Sequence, residues 1–277
     1  MEKIPHQRLR LSDNIEIFVR RFGPESGPIV LMIHGAAPGA SGWGNFCRNV
    51  DAFVAAGYHV IVPDLPGFGD SAKPAGIDYD LPLFTGTMQQ MLCELGIERI
   101  VAVGNSMGGA IANNLAITAP DLVSALIVAA PHCLAPQASY WAMPGVQFMI
   151  EALTQGEPTR EKLGAVLRRM VCDPEQISDA LLDERWQSAI KQPADVMTRL
   201  RITEIASQLH AISCPVLAFW GAQDEITPSA GALVLAERVP QAEVIIYSQT
   251  GHWPQFERHA QFNERSLRFL DETRKPA

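Results

Sequence analysis

The chain lacks most of the features that mark specialised protein classes. Its 277 residues include only five cysteines, Cys47, Cys93, Cys133, Cys172 and Cys214, odd in number and without a C-x-x-C pair. This argues against a disulfide framework or a zinc site and suggests reduced thiols, mostly buried as small residues. Positive charge is in deficit: 22 Lys and Arg against 30 Asp and Glu give a formal net charge of −8. That balance argues against non-specific nucleic-acid binding, which needs a basic face. An anionic ligand would have to be drawn by a local cation rather than by the overall field. No apolar run approaches a bilayer span, and Met1 to Arg8 has no signal-peptide core. A cytoplasmic protein with no membrane partner is the expectation. Internal repeats and low-complexity tails are also missing. What remains is ordinary for a globular protein, 47% hydrophobic and 19% charged, enough for one sizeable domain with a modest insertion.

The apolar pattern sets the fold class. Leu9 to Leu11 and Ile15 to Arg21 alternate around Ser12-Asp13-Asn14, a hairpin signal. Short continuous apolar runs follow at Ile29 to Ile33, His59 to Val62, Ile100 to Val103, Ala125 to Val128, Val216 to Trp220 and Val244 to Tyr247. Runs of this kind suit strands covered on both faces. Helical patterns lie between them: Asn45 to Ala56, Pro82 to Leu95, Gly108 to Ala119, Ser229 to Val239 and Gln255 to Phe269. Strand–helix alternation predicts an α/β fold with a mostly parallel central sheet flanked by helices. From Leu134 to His210 there is no convincing strand, only helical patterns broken by Gly and Pro. The expected organisation is a core of residues 1–133 and 211–277, with residues 134–210 forming a helical lid over the carboxyl edge of the sheet.

One stretch carries the chemistry. Gly104-Asn105-Ser106-Met107-Gly108 stands directly between the run Ile100 to Val103 and the small-residue helix that follows. Strand, sharp turn and helix around G-x-S-x-G form a nucleophile elbow, in which the glycines relieve crowding around a strained serine. A serine nucleophile needs a base and an acid that orients the base. Among seven histidines, His252 in Gly251-His252-Trp253-Pro254 lies between the last strand and the last helix, where it can reach the elbow. His6, His59, His210 and His259 sit in structural contexts, and His132 fits a lid hinge. Asp224 follows the strand ending at Trp220; its neighbour Glu225 is the second choice, and Asp64 is read as a loop-capping acid. The order Ser106, Asp224, His252 is that of a known hydrolase arrangement. The tetrahedral oxyanion needs two donors, assigned to the backbone N–H groups of Met107 and of Ala36 in the loop after Ile33, where His34 organises the loop.

Taken together, the elbow, His34-Gly35, Asp64-Leu65-Pro66-Gly67-Phe68-Gly69-Asp70-Ser71, Asp224 and Gly251-His252 resemble the α/β-hydrolase superfamily over nearly the whole chain. Four details resemble its meta-cleavage-product hydrolases, which split C–C bonds in ring-opened aromatic compounds. Asn105 precedes the nucleophile, Asn45 lies in Gly42-Trp43-Gly44-Asn45-Phe46, Arg185 lies in Glu184-Arg185-Trp186, and Trp253 follows the histidine. The resemblance implies a small-molecule anionic substrate, a 2-hydroxy-6-oxo-hexa-2,4-dienoate, split into 2-hydroxypenta-2,4-dienoate and a carboxylic acid. It implies that Arg185 holds the carboxylate, that Asn45 and Asn105 hold neighbouring oxygens, and that Trp253 packs on the diene. No metal or organic cofactor is implied, and the family commonly forms dimers or larger assemblies, so a homo-oligomer is allowed. The sequence departs from the family at Ala36-Ala37, where more glycine is usual, and at Leu65, where a polar residue is usual. The same triad also serves a carboxylesterase, a lactonase or a cofactor-free haloperoxidase, and a non-catalytic receptor can retain it.

Overall fold

The structure is a computed structural model, and it describes residues 6–274. Among the described residues ten strands occur in the order β1 (His6–Arg10), β2 (Glu16–Phe22), β3 (Ile29–Ile33), β4 (His59–Pro63), β5 (Tyr79–Asp80), β6 (Ile100–Asn105), β7 (Val123–Ala129), β8 (Leu200–Arg201), β9 (Val216–Gly221) and β10 (Ala242–Tyr247). Eight of them form one sheet ordered β1-β2-β4-β3-β6-β7-β9-β10. The hairpin expected at the start is present, with Leu9 opposite Ile17. β2 meets β4 antiparallel, and every later neighbour is parallel.

The continuous apolar runs are explained by two cores, one on each face of this sheet. Leu31, Ile33, Ile61, Ala102, Leu126 and Val128 point to one side. Val30, Met32, Val60, Val62, Val103 and Ile127 point to the other. Successive residues of one strand thus feed opposite layers, the period-two geometry of an extended chain. Helices α1 (Gly42–Phe46), α2 (Val50–Ala55), α3 (Leu81–Glu94) and α4 (Met107–Thr118) precede a run of five helices after β7. These are α5 (Gln137–Trp141), α6 (Pro144–Thr154), α7 (Arg160–Arg169), α8 (Asp179–Ala189) and α9 (Ala194–Thr198). The chain closes with α10 (Ala230–Arg238), α11 (Pro254–Glu257) and α12 (His259–Arg274). Leu163, Leu167, Met170, Val171 and Leu182 of the five-helix segment form a third cluster with Ile226, Trp253 and Phe256, which follow β9 and β10. This segment therefore covers the carboxyl ends of the strands. Gln192 ties it further, accepting from the Gly39 amide and donating to Gly67 O.

Four expectations need correction. The helix expected from Asn45 to Ala56 is two, α1 and α2. The Asn263 amide takes Arg48 O at 3.0 Å, an acceptor that a continuous helix would use internally. The helix expected from Gln255 to Phe269 breaks at Arg258, whose guanidinium reaches back to Thr250 Oγ1, Ser248 O and Gln249 O. The stretch from 134 to 210 does contain a strand, the two-residue β8, which pairs parallel with β5. Only Cys133 and Cys214 are buried; Cys93 and Cys172 are exposed, on the outer side of α3 and just beyond α7.

Candidate active site

At the end of β6 the chain reverses through Ser106, which has φ 54° and ψ −119°. A non-glycine residue in this region carries local strain of about 1–3 kcal/mol, and it persists where the surroundings fix it. Here they do. A Cβ on Gly104 would lie 2.2 Å from Gly108 O, and a Cβ on Gly108 would lie 2.0 Å from Ile33 O. Ser106 itself is tied by its N–H to Ala129 O and by its carbonyl to the amides of Ala110 and His132. It is the residue before the first turn of α4, where the Met107 N–H has no intrahelical acceptor.

His252 and Asp224 are brought together from loops after β10 and β9. His252 Nδ1 lies 3.0 Å from Asp224 Oδ2, with both side chains buried. Asp224 Oδ1 accepts from the amides of Ile226 at 2.7 Å and Thr227 at 2.9 Å, and Oδ2 also accepts from the Thr227 hydroxyl. So many donors call for an ionised carboxylate. That carboxylate draws the imidazole proton to Nδ1 and leaves Nε2 as the basic nitrogen. Glu225, the second choice, turns instead to Arg169 at 2.6 Å. Ser106, His252, Gly35, Ala36 and Ala37 line one cavity, together with Asn45, Asn105, Met170, Arg185 and Trp253. Eight of the nine residues singled out for the site in the sequence therefore face this cavity or, like Asp224, hold a residue that does; Met107 presents only its backbone at the elbow.

His34 holds the loop that carries Ala36. Its Nδ1 pairs with Gly35 O at 2.8 Å and its Nε2 accepts from the Leu65 amide at 3.0 Å, the arrangement of a neutral ring. Burial pushes its pKa down to about 4, against a smaller opposing pull from Asp64. Above the unfolded value of about 6.5 both states are neutral; as pH falls, the unfolded chain takes a proton that the folded chain refuses. Folding stability is expected to drop by about 1.4 kcal/mol per pH unit from this residue between about pH 6.5 and 4. Urea denaturation at a series of pH values should show a shallower slope for His34→Gln than for the wild type. Asp64, read as a loop-capping acid, accepts from the amides of Gly42 and Asp70.

Arg185, on α8, is the most unusual group in the cavity. Its side chain is 1% exposed, and among the described residues neither Nε nor Nη1 has a hydrogen-bond partner. Its guanidinium stands 5.0 Å over the Trp253 ring. Burial lowers its pKa to about 10, with Glu184 acting in the other direction. Beside it runs a chain of amides. Gln255 Nε2 donates to Asn45 Oδ1 at 3.1 Å, and Asn45 Nδ2 donates to Asn105 Oδ1 at 3.3 Å. Asn105 Nδ2 donates to Ala129 O at 3.0 Å and His252 O at 3.4 Å. Sequence reasoning missed Gln255. It sits where a helix start was expected, and only the fold brings it 210 positions back to Asn45. His132, expected at a lid hinge, stacks on Tyr140 with ring centroids 3.9 Å apart, and its backbone amide is bound to Ser106 O.

The cavity is about 10 Å³, room for about one water. Met170, an unbranched and adaptable side chain, forms part of its wall. Among the described residues no cluster of His, Cys, Asp or Glu could hold a metal, and no helix is long and apolar enough to cross a membrane.

Comparison with known proteins gives a consistent result. Residues 28–259 match the model of the alpha/beta hydrolase fold. The chain is 33% identical over 253 residues to a 2-hydroxy-6-oxo-6-phenylhexa-2,4-dienoate hydrolase of Burkholderia cepacia, covering 88% of each chain. It is 32% identical over 254 residues to a 2-hydroxy-6-oxononadienedioate/2-hydroxy-6-oxononatrienedioate hydrolase of Comamonas testosteroni, again 88% of each. Among solved structures it is similar to a meta-cleavage product hydrolase from Pseudomonas fluorescens IP01, with TM-score 0.83 and 22% identity over 96% of this chain and 97% of that one.

Proposed function

The chain belongs to the α/β-hydrolase family and within it to the meta-cleavage-product hydrolases, and on that premise we propose that it hydrolyses a C–C bond in a 2-hydroxy-6-oxo-hexa-2,4-dienoate. The observation that carries this reading is Arg185: a buried guanidinium with unpartnered donors in the same cavity as Ser106 and His252. Leaving such a cation unpaired is costly, and a substrate carboxylate supplies its missing partner in a bidentate fork. In an acidic protein this is the local cation that an anionic substrate needs.

In this reading Arg185 holds the C1 carboxylate, while Asn45 and Asn105 address the C2 oxygen and Trp253 lies against the diene. The dienol first becomes its keto form: the C2 hydroxyl proton leaves, and a proton is added at C5. His252 Nε2 then takes the Ser106 proton as Oγ attacks the C6 ketone, and the oxyanion is held by the N–H groups of Ala36 and Met107. The C5–C6 bond breaks when the C6–O bond reforms its double bond. The released electron pair passes through C3–C4 to the C2 oxygen, which is protonated to give 2-hydroxypenta-2,4-dienoate. Water, deprotonated by His252, hydrolyses the acyl-Ser106 to a carboxylic acid. Residues 134–210 act as the lid that closes over the reaction.

Product analysis tests the reading. With the 6-phenyl dienoate, one benzoate and one 2-hydroxypenta-2,4-dienoate are expected per substrate consumed, by chromatography against standards. Cleavage of p-nitrophenyl esters with the dienoate returned intact would assign an esterase instead.

A further inference from the structure

We propose that Glu257 is a positioning residue for His252, a buried carboxylate that ties the histidine loop to the lid; this rests on the catalytic reading of His252. Glu257 Oε1 accepts from the Gly251 amide at 2.8 Å and the Trp253 amide at 3.3 Å. Its Oε2 accepts from the Cys172 amide, just beyond α7, at 2.7 Å. The amide between the first two, that of His252, donates to Met170 O at 2.7 Å. All three consecutive amides around the base are thus fixed, the outer two by Glu257 and the middle one by the lid. The lid backbone is close enough that a Cβ on Gly251 would come within 2.7 Å of Met170 O. The adjacent lid residue Arg169 pairs with Glu225, beside Asp224. Residues 169–172 therefore grip both loops, the one carrying the acid and the one carrying the base.

The chemistry of the position asks for a carboxylate. Three amide donors converge on two oxygens, and an amide side chain would set an NH₂ against one of them. Among the described residues no guanidinium takes the role of partner: Arg48 is bonded to Gln176 and Phe256 O, and Arg258 to Thr250, Ser248 O and Gln249 O. Burial raises the Glu257 pKa above the ordinary carboxylate value, against the smaller opposing pull of the three amides and the nearby His252. The charged or titratable groups that face His252 are then Asp224 at Nδ1, Glu257 behind the loop, the Arg185 guanidinium across the shared cavity, and His132, which burial keeps neutral with a pKa of about 4. A fixed negative charge behind the loop also favours the imidazolium formed when His252 takes the serine proton.

The test uses Glu257→Gln and Glu257→Asp in the full chain, assayed on both the 6-phenyl dienoate and a p-nitrophenyl ester from pH 5 to 9. For Glu257→Gln, kcat is expected to fall about ten- to a hundredfold with KM changed much less. The acid limb of its kcat/KM profile should move to lower pH, because the imidazolium loses an anionic neighbour. Glu257→Asp keeps the charge but is one methylene short, so kcat falls while the acid limb stays in place. Wild-type kcat together with an unmoved acid limb in Glu257→Gln would overturn the proposal, and so would a loss of kcat with the limb unmoved, the mark of a tie that is only structural. If Glu257→Gln does not fold, a folded Glu257→Asp with native kcat overturns it. Both substrates read His252, so a wild type that cleaves only the ester defeats the C–C reading and leaves Glu257 fully tested. If neither substrate turns over, NMR titration of the His252 ring in wild type and Glu257→Gln decides, with an unchanged titration counting against it.

Discussion

Ser106→Ala is expected to lower kcat for a dienoate by about ten-thousandfold to a millionfold, with substrate binding nearly unchanged. The expectation rests on where the hydroxyl is and what it does not hold. Ser106 is fixed through its backbone, by Ala129 O, Ala110 N and His132 N, so removing Oγ leaves the elbow in place. Alanine at φ 54° carries much the same strain as serine, and Gly104 and Gly108 still give the turn its room. The groups proposed to bind substrate, Arg185, Asn45 and Asn105, are untouched. His252→Ala should cost a similar factor. The double variant should be no worse than the worse single one, because a nucleophile and base in the roles proposed for Ser106 and His252 act as one unit. Single-turnover absorbance measurements with enzyme in excess separate binding from cleavage. An Ser106→Ala protein within tenfold of the wild type would remove the serine from the mechanism.

Arg185→Met is expected to give two effects of opposite sign. Dienoate kcat/KM should fall by about a hundred- to a thousandfold, the cost of about 3–4 kcal/mol when a buried anion loses its charged partner. A neutral p-nitrophenyl ester should change by less than about threefold, since it places no charge against the guanidinium. The free protein, by contrast, should become more stable by about 1–3 kcal/mol. The substitution removes a buried cation with two unpartnered nitrogens and retains an apolar contact for Trp253. Wild type should recover stability when a carboxylate ligand binds, and Arg185→Met should not. Thermal melts of both proteins with and without 2-hydroxypenta-2,4-dienoate measure this directly. A destabilised variant that still cleaves the dienoate would make Arg185 a structural residue.

The sequence was most legible where function depends on short-range geometry. The elbow is a strand, a turn and a helix within ten residues, so Ser106 and its flanking glycines declare themselves. Asp224 and His252 each follow the carboxyl end of a strand, and parallel strands deliver those ends to one edge of the sheet. The runs feeding two cores were equally plain, because both faces of the sheet are covered. Legibility failed where one residue serves a distant partner. Asn263 and Arg258 break helices whose own patterns are continuous, because their side chains are recruited elsewhere. Gln255 and Glu257 read locally as ordinary first-turn residues of a helix. Their roles appear only when Asn45 and Cys172, more than eighty positions away, are folded against them. Met170 has no local marker at all, yet it walls the cavity and accepts the amide of His252.

The measurement that decides the central claim is the initial rate at which purified protein bleaches yellow 2-hydroxy-6-oxo-6-phenylhexa-2,4-dienoate, beside Ser106→Ala and beside a p-nitrophenyl ester. Rapid bleaching by the wild type, abolished in Ser106→Ala and faster than ester cleavage at equal concentration, is the expected result. A dienoate left untouched while the ester is cleaved would contradict C–C hydrolysis and make the unpartnered guanidinium of Arg185 a site for some other anion.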